Sequence, residues 1–461
     1  MSLLFLDDTI AAISTPIGRA GIGVVRISGS LAKDIATKLA PKNSFNSSHR
    51  AQLIQIYNPA DGEFLDEAVA IYFSAPKSYT GEDVVEISCH GSPYILSQLL
   101  KACLKLGART ASPGEFTFRA FVNGRIDLTQ AEAVRDLIDS QTEYQAKLAS
   151  RQLKGELSRY LQPIKEELLK IIVHLESSVE FVEEVLDTDS IDALELQISQ
   201  LIQRLERLAK SYNTGRIVRE GFKLALIGRP NVGKSSLFNS LLQQDRAIVT
   251  DIPGTTRDSL IETASIGGIP VKLVDTAGIR EAGDIVEKLG IERSYAAIAD
   301  ADLVLHILDT SCTLTNDDLQ LISYCKQTYS PAILVLNKID LQQHIDLASI
   351  SEEFDKDNIV KVSAKTFEGI DILQDRITAH FIDKRIESHE DTLILDARHF
   401  DLVNNTIEQM QYALTRLREG YSEEVALYHL HNALKHLGEI TGETTIEDIL
   451  GKIFATFCIG K

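Results

Sequence analysis

One stretch, Gly228-Arg229-Pro230-Asn231-Val232-Gly233-Lys234-Ser235, constrains the fold more than any other part of the chain. Its spacing, G-x-x-x-x-G-K-S, is that of a loop whose backbone N–H groups cradle phosphates, and such a loop works only between a strand and a helix. Both flanks comply. Phe222 to Ile227 is a short apolar run that reads as a buried strand, and Ser235 to Leu242 has helical periodicity. Lys234 is then placed to neutralise β- and γ-phosphates and Ser235 to offer its hydroxyl to magnesium, with Asn231, Val232, Gly233 and Ser236 completing the phosphate-binding set.

Three further stations follow in order, each after a strand-like run. Asp275-Thr276-Ala277-Gly278 ends the run Val271 to Val274 and puts a carboxylate near the metal and a glycine amide at the γ-phosphate. Asn337-Lys338-Ile339-Asp340 ends Ala332 to Leu336, and the Asp340 carboxylate can accept from the N1–H and exocyclic amine of guanine, which adenine does not offer. Ser363-Ala364-Lys365 follows Val360 to Val362, where a backbone amide can meet the guanine oxygen. Any one of these arises by chance, but four in order define a guanine-nucleotide site that resembles the translation-factor-like GTPases. Between the first two stations lies Thr250-Asp251-Ile252-Pro253-Gly254-Thr255-Thr256, from which a threonine, Thr256 foremost, would close over magnesium and γ-phosphate. Ras-like enzymes orient the attacking water with a glutamine after the second station; here Ile279 stands there and cannot do so. The charged stretch beyond it offers Glu281 and Glu287, against the plainer reading of a solvated face.

The 461 residues accommodate about three domains at ~150 residues each, and 44% hydrophobic with 25% charged content is that of a globular protein. No run of eighteen apolar residues occurs, so no membrane span is expected, and Met1 to Leu6, followed by Asp7-Asp8, lacks the basic segment of a signal peptide. Cys89, Cys103, Cys312, Cys325 and Cys458 form no C-x-x-C pair, which predicts reduced thiols, a cytoplasmic location and no structural zinc. The net charge of −19 is awkward for a nucleic-acid partner, and residues 1–127, with 12 Lys+Arg and 12 Asp+Glu, carry none of it. Any such contact would use a local patch.

Residues 1–127 mix strands, at Ile22 to Ile27, Glu67 to Phe73 and Asp83 to Ser88, with a helix from Tyr94 to Leu106. Gly18, Gly21 and Gly23 are spaced G-x-x-G-x-G and do not make a dinucleotide fingerprint. From Thr129 the pattern turns helical, with Thr129-Gln130-Ala131-Glu132 as an expected capping box. Ile191, Leu194, Ile198, Leu201, Leu205 and Leu208 form one apolar helix face. The helical pattern stops near Gly215 and resumes after about Arg385 through Ile407, Met410, Leu414 and Leu417. The GTPase segment therefore reads as an insertion into a helical domain, its motion passed on through connections near 215–221 and 384–392.

Together the phosphate loop, Gly254-Thr255-Thr256-Arg257-Asp258, the insertion, Pro113-Gly114-Glu115-Phe116-Thr117, Leu128 to Ala133 and the terminal Phe457-Cys458-Ile459-Gly460-Lys461 closely resemble the MnmE (TrmE) tRNA modification GTPase family. The resemblance covers the whole chain and implies a multidomain α/β protein. Its parts would be an N-terminal α+β folate-binding-like and dimerisation domain (1–127), a helical domain (128–220 and 385–461) and an inserted Ras-like P-loop GTPase domain (221–384). It implies work with the FAD-dependent MnmG, in a heterotetramer or larger, installing aminomethyl or carboxymethylaminomethyl groups at carbon 5 of the wobble uridine of certain tRNAs. The one-carbon unit would come from a tetrahydrofolate, 5-formyl or 5,10-methylene, held by Arg26, Glu86, Arg125 and Lys461; some relatives carry lysine where Arg125 stands. Cys458 then lies near the folate, as a reactive thiol or as a small buried side chain. The resemblance favours Glu287 over Glu281 as the water-orienting group. It also places potassium on Asn231 and on the carbonyls of Thr250, Ile252 and Thr255, with paired GTPase domains during hydrolysis. The alternative is a ribosome-assembly or RNA-chaperone GTPase without modification chemistry, a class that usually carries a basic module absent here.

Overall fold

The computed structural model describes residues 8–180, 188–244, 261–275, 301–327, 331–345, 356–381, 394–419, 421–444 and 447–460. Backbone proximity divides the chain into two compact units. One comprises Met1–Arg135, Gln152–Ile198 and Glu408–Lys461, the other Asp136–Arg151 and Ser199–Ile407.

The first unit opens with six strands, β1 (Ile10–Ile13), β2 (Ala20–Ser28), β3 (Ala51–Tyr57), β4 (Phe64–Phe73), β5 (Val84–Gly91) and β6 (Arg109–Thr110). They lie in the order β3-β4-β5-β2-β1-β6, antiparallel except for β1 beside β6. Helices α1 (Ala32–Leu39) and α2 (Pro93–Lys105) cover one face, because alternate strand residues such as Val25, Ile27, Ile54, Val85 and Ile87 are apolar and bury against Ile35, Leu39, Leu96 and Leu99. The intervening residues, Arg26 and Glu86 among them, point to the other face and stand opposite one another in the β2–β5 register.

After α3 (Glu115–Val122) the chain becomes helical through α4 (Leu128–Asp139), α5 (Glu143–Leu153), α6 (Glu156–Glu180), α7 (Thr188–Lys210) and α8 (Tyr212–Glu220). The cap of α4 lies two residues before the expected box. Asp127 Oδ1 accepts the Gln130 N–H at 2.9 Å, and Gln130 Oε1 accepts the Asp127 N–H at 3.0 Å. A carboxylate stands one half-turn ahead of Thr129 and takes the capping role, while the Thr129 hydroxyl donates to that carboxylate at 2.6 Å. Gly215 also differs from expectation: it lies inside α8, where a Cβ would come within 1.9 Å of the Ile394 carbonyl oxygen. That glycine permits close packing and does not stop a helix. The expected stripe on α7 is buried from Leu194 to Leu208, with Ile191 half-buried.

In the second unit β7 (Phe222–Ile227), α9 (Lys234–Gln244), β8 (Ile261–Ile266), β9 (Ile269–Asp275), β10 (Leu303–Asp309), α10 (Asn316–Gln327), β11 (Ala332–Asn337), β12 (Ile359–Lys361) and α11 (Ile370–Phe381) follow in sequence. The sheet order is β12-β11-β10-β7-β9-β8, parallel except for β8. Such a sheet buries both faces, which is why its strands read as nearly unbroken apolar runs. Ligands of open α/β sheets bind beyond the carboxyl ends of the strands, and the sequence motifs lie there. Last come α12 (Ala397–Arg418), α13 (Glu423–Thr441) and α14 (Glu447–Ala455). Phe454 and Phe457, at the end of α14 and just beyond it, pack against Phe118, Leu128 and Ala131 of α3 and α4 in the first unit. Among the described residues no helix is long and apolar enough to cross a membrane.

Candidate functional site

The phosphate loop joins β7 to α9 through three residues with positive φ: Gly228 at +144°, Asn231 at +66° and Gly233 at +100°. Two of them cannot carry a side chain, since a Cβ on Gly228 would meet the Ile307 carbonyl oxygen at 2.5 Å and one on Gly233 would meet Asn337 Nδ2 at 2.3 Å. The Lys234 ammonium turns onto the loop itself, donating to the carbonyls of Gly228 at 2.6 Å and Arg229 at 2.9 Å. Val232 and Lys234 are buried, whereas Asn231, Ser235 and Ser236 are exposed at the mouth of the helix.

The motifs expected to read the base come together with this loop. Asn337, 1% exposed, donates from Nδ2 to the Val232 carbonyl at 2.8 Å and accepts at Oδ1 from the Ala364 N–H at 3.1 Å. It is thus a strut between the phosphate loop and the Ser363-Ala364-Lys365 segment. Asp340 is exposed, and one of its carboxylate oxygens accepts from the Ser363 hydroxyl at 2.8 Å, which fixes the plane of the group that would read guanine. Lys338 Nζ donates to the Asn231 carbonyl at 2.9 Å and to Asp309 Oδ2 at 2.6 Å. Lys365 is exposed. Asp275 closes β9 beside β7, as expected of the second station. Its side chain, and the expected contributors Thr250, Asp251, Ile252, Pro253, Gly254, Thr255, Thr256, Thr276, Ala277, Gly278, Glu281 and Glu287, lie outside the described residues.

Two acidic residues escaped the reading of the sequence. Asp309 ends β10; burial pushes its carboxyl up, but the Lys338 ammonium and the Ser311 donors outweigh that and hold it below the usual carboxylate range. Asp318, whose side chain is fully buried at the start of α10, receives Arg229 Nε of the phosphate loop at 2.8 Å and the Thr315 N–H at 3.0 Å. The only signal for either was a carboxylate next to an apolar strand or in a helix's first turn, and neither spacing marks a motif.

A second cluster lies on the face of the first sheet opposite α1 and α2, where Phe116 of α3 packs with Ile10 and Ala12. Arg26 Nε and Nη2 both approach Glu86 Oε1 at 2.8 Å, and Arg26 Nη1 donates to the Gly460 carbonyl at 3.2 Å. The guanidinium carbon sits 5.3 Å from the Tyr79 ring centre and 5.5 Å from that of Phe116. The chain's end is strapped here: the Ser14 hydroxyl also donates to Gly460, and the Gly114 N–H to the Cys458 carbonyl. Two of the expected residues, Arg26 and Glu86, therefore meet beside Gly460, and Lys461 lies outside the described residues. Arg125 is exposed beyond the intervening turn, its Cγ 3.3 Å from where a Cβ on Gly81 would stand. Cys458 is exposed, contrary to the reading of it as a small buried side chain. Cys89, Cys103 and Cys325 differ from it in being buried, which pushes their thiols up to about 11, about 12 and about 11.

Two family models match the chain: one described as the MnmE helical domain over residues 128–458, and one described as the GTP-binding protein TrmE N-terminus over residues 9–125. The chain is 47% identical over 462 residues to the tRNA modification GTPase MnmE of Koribacter versatilis (strain Ellin345), covering 99% of this chain and 100% of that protein. It is 45% identical over 457 residues to the tRNA modification GTPase MnmE of Aquifex aeolicus (strain VF5), again covering 99% and 100%. The protein of that name from Carboxydothermus hydrogenoformans is 42% identical over 462 residues, with the same coverage.

Proposed function

The chain belongs to the MnmE family of tRNA modification GTPases, and on that footing we propose that it couples GTP hydrolysis to the building of an aminomethyl-type group at carbon 5 of the wobble uridine. The partner is an FAD-dependent MnmG, the assembly is built on a homodimer and the location is cytoplasmic. The domains are 1–127, 128–220 with 385–461, and 221–384. The observation that most supports this reading is the coexistence of two sites in one chain. On one sheet the motifs expected to read guanine meet the phosphate loop, and on the other the Arg26–Glu86 ion pair, flanked by Tyr79 and Phe116 and bonded to the Gly460 carbonyl, is a cluster that a folate could occupy.

In hydrolysis, Asp340 selects guanine, Asn337 keeps base and phosphate loops in register, and Lys234 with the loop amides receives the phosphates. Ser235 and Thr256 would hold magnesium, and Asn231 with the carbonyls of Thr250, Ile252 and Thr255 would hold potassium, each ion supplying positive charge against the charge developing on the phosphates. Asn231 is exposed, which suits that second role. Glu287 orients the attacking water. Equal hydrolysis rates in KCl and NaCl at equal ionic strength contradict the potassium assignment. A single-turnover rate untouched by Glu287→Ala contradicts the glutamate assignment. Calorimetry with 5-formyltetrahydrofolate on the full chain checks the folate cluster, and binding undiminished in Arg26→Ala removes it.

The function as a whole is tested by nucleoside composition in a strain lacking the gene. Loss of the modified wobble uridine is expected. Intact nucleosides with accumulating ribosomal subunits would instead favour a ribosome-assembly GTPase.

A further inference from the structure

Two residues of the nucleotide site hold backbone angles that residues with side chains rarely adopt, Asn231 and Lys338, both at φ +66°. Such conformations persist only where neighbours over-determine them. One ammonium ties the two together, since Lys338 Nζ bonds both the Asn231 carbonyl and Asp309. Asp309 closes β10, a strand that carries no nucleotide motif. Its second oxygen accepts from the Ser311 N–H at 2.9 Å and the Ser311 hydroxyl at 2.6 Å, so the carboxylate is held independently of the lysine. The next residue grips the same partner segment: Thr310 donates to the Asn337 carbonyl from its N–H at 3.0 Å and from its hydroxyl at 2.9 Å. The end of β10 is thus a cradle for the Asn337-Lys338 pair.

From this geometry we propose that Asp309 is a positioning residue for guanine-nucleotide binding, fixing the Lys338 ammonium and thereby locking the phosphate loop at Asn231 to the base-reading loop. Asp309 acts through Lys338, whose stem spans those two loops alongside the route from base to phosphates. Without the carboxylate the lysine is released toward solvent, Asn231 loses a constraint on its left-handed backbone, and the two ends of the nucleotide are no longer set at a fixed separation. The inference rests on the guanine-nucleotide reading of the site.

The test uses full-length protein and titration with fluorescent GDP and GTP. Asp309→Asn, equal in shape but uncharged, is expected to weaken both by roughly tenfold, the usual scale for a hydrogen bond to a charged group. The preference for guanine over hypoxanthine nucleotides should hold, because Asp340 is intact. The decisive measurement is the cycle with Lys338→Met: a residue that acts through the lysine adds no loss in the double variant, whereas a merely structural contribution adds in full. Ser311→Ala, which loosens Asp309 and keeps its charge, should give a smaller loss that also vanishes in the Lys338→Met background. Wild-type affinity in Asp309→Asn, or losses that add to those of Lys338→Met, overturns the proposal. A wild-type protein that binds ATP as well as GTP would overturn the guanine reading itself, so the two failures are distinguishable.

Discussion

Among the described residues Arg119 is the largest side chain buried to completion, and it survives there because Asp8, Glu82 and Glu115 surround its guanidinium. Burial pushes the Glu115 carboxyl up, yet Arg109, the Ser112 N–H and Arg119 hold it below its ordinary range; in Asp8, Arg109 and Arg119 likewise prevail over burial. A carboxylate with a depressed folded pKa contributes stability that is present above its unfolded pKa and is lost as pH falls through the folded value. Arg119→Ala should therefore destabilise the protein by about 3–5 kcal/mol, the scale for removing one partner of a buried ion cluster. Denaturant melts from neutral pH downward should show the wild type losing stability below the usual carboxylate range and the variant with a weaker pH dependence. A variant as stable as wild type, with the same acid limb, would mean that the cluster contributes nothing net. At this scale the sequence was informative only where chemistry fixes spacing. Lys234, Asn337 and Asp340 stood out by motif, whereas Asp309, Asp318, and Asp8 and Glu82 beside Arg119 became visible only once segments distant in sequence came together. Arg26 and Glu86, 60 positions apart, are the same case, reached by resemblance to a family and not by any local pattern.

Among the elements, α8 is the helix directly before β7, the strand that leads into the phosphate loop. Arg219 bonds Asp136 Oδ1 at 3.0 Å and also the Asp396 carboxylate, while Arg216, one turn earlier, bonds Asp302 at 3.2 Å. Asp302 in turn accepts the Lys223 N–H of β7 at 2.9 Å, and the Ser211 hydroxyl accepts the Ile394 N–H at 3.0 Å. Through Arg216 and Arg219, α8 is thereby tied both to helical segments and to the strand that feeds the phosphate loop. We expect Arg219→Ala to leave GTP hydrolysis within about twofold while lowering wobble-uridine modification, because it loosens the connection and not the pocket. Parallel hydrolysis assays and nucleoside analysis check this; loss of both activities together, or of neither, contradicts it. Periodicity made the elements themselves legible, including the apolar stripe of α7 and the strands before each motif. It failed at Gly215 and at the start of α4, because a glycine chosen for close packing and a carboxylate chosen as a cap look the same in sequence as a helix stop and a spare acidic residue. Strand β3, at the sheet edge, went unanticipated although Ile54 and Ile56 alternate with the exposed Gln55.

For the molecule as a whole, the central claim is that guanine recognition by the 228–365 segment is required for tRNA modification by the full chain. The most direct measurement is mass spectrometry of wobble-uridine nucleosides in a strain lacking the gene and supplied with either the wild-type chain or Asp340→Asn. The substitution turns one acceptor for the guanine edge into a donor and leaves that edge unpaired in the pocket, a loss on the order of 1–3 kcal/mol or more in GTP affinity. The wild-type chain should restore the modified nucleoside and Asp340→Asn, expressed to the same level, should not. Full restoration by Asp340→Asn, together with GTP binding reduced as expected in vitro, would show that modification proceeds without the guanine site and would contradict the account.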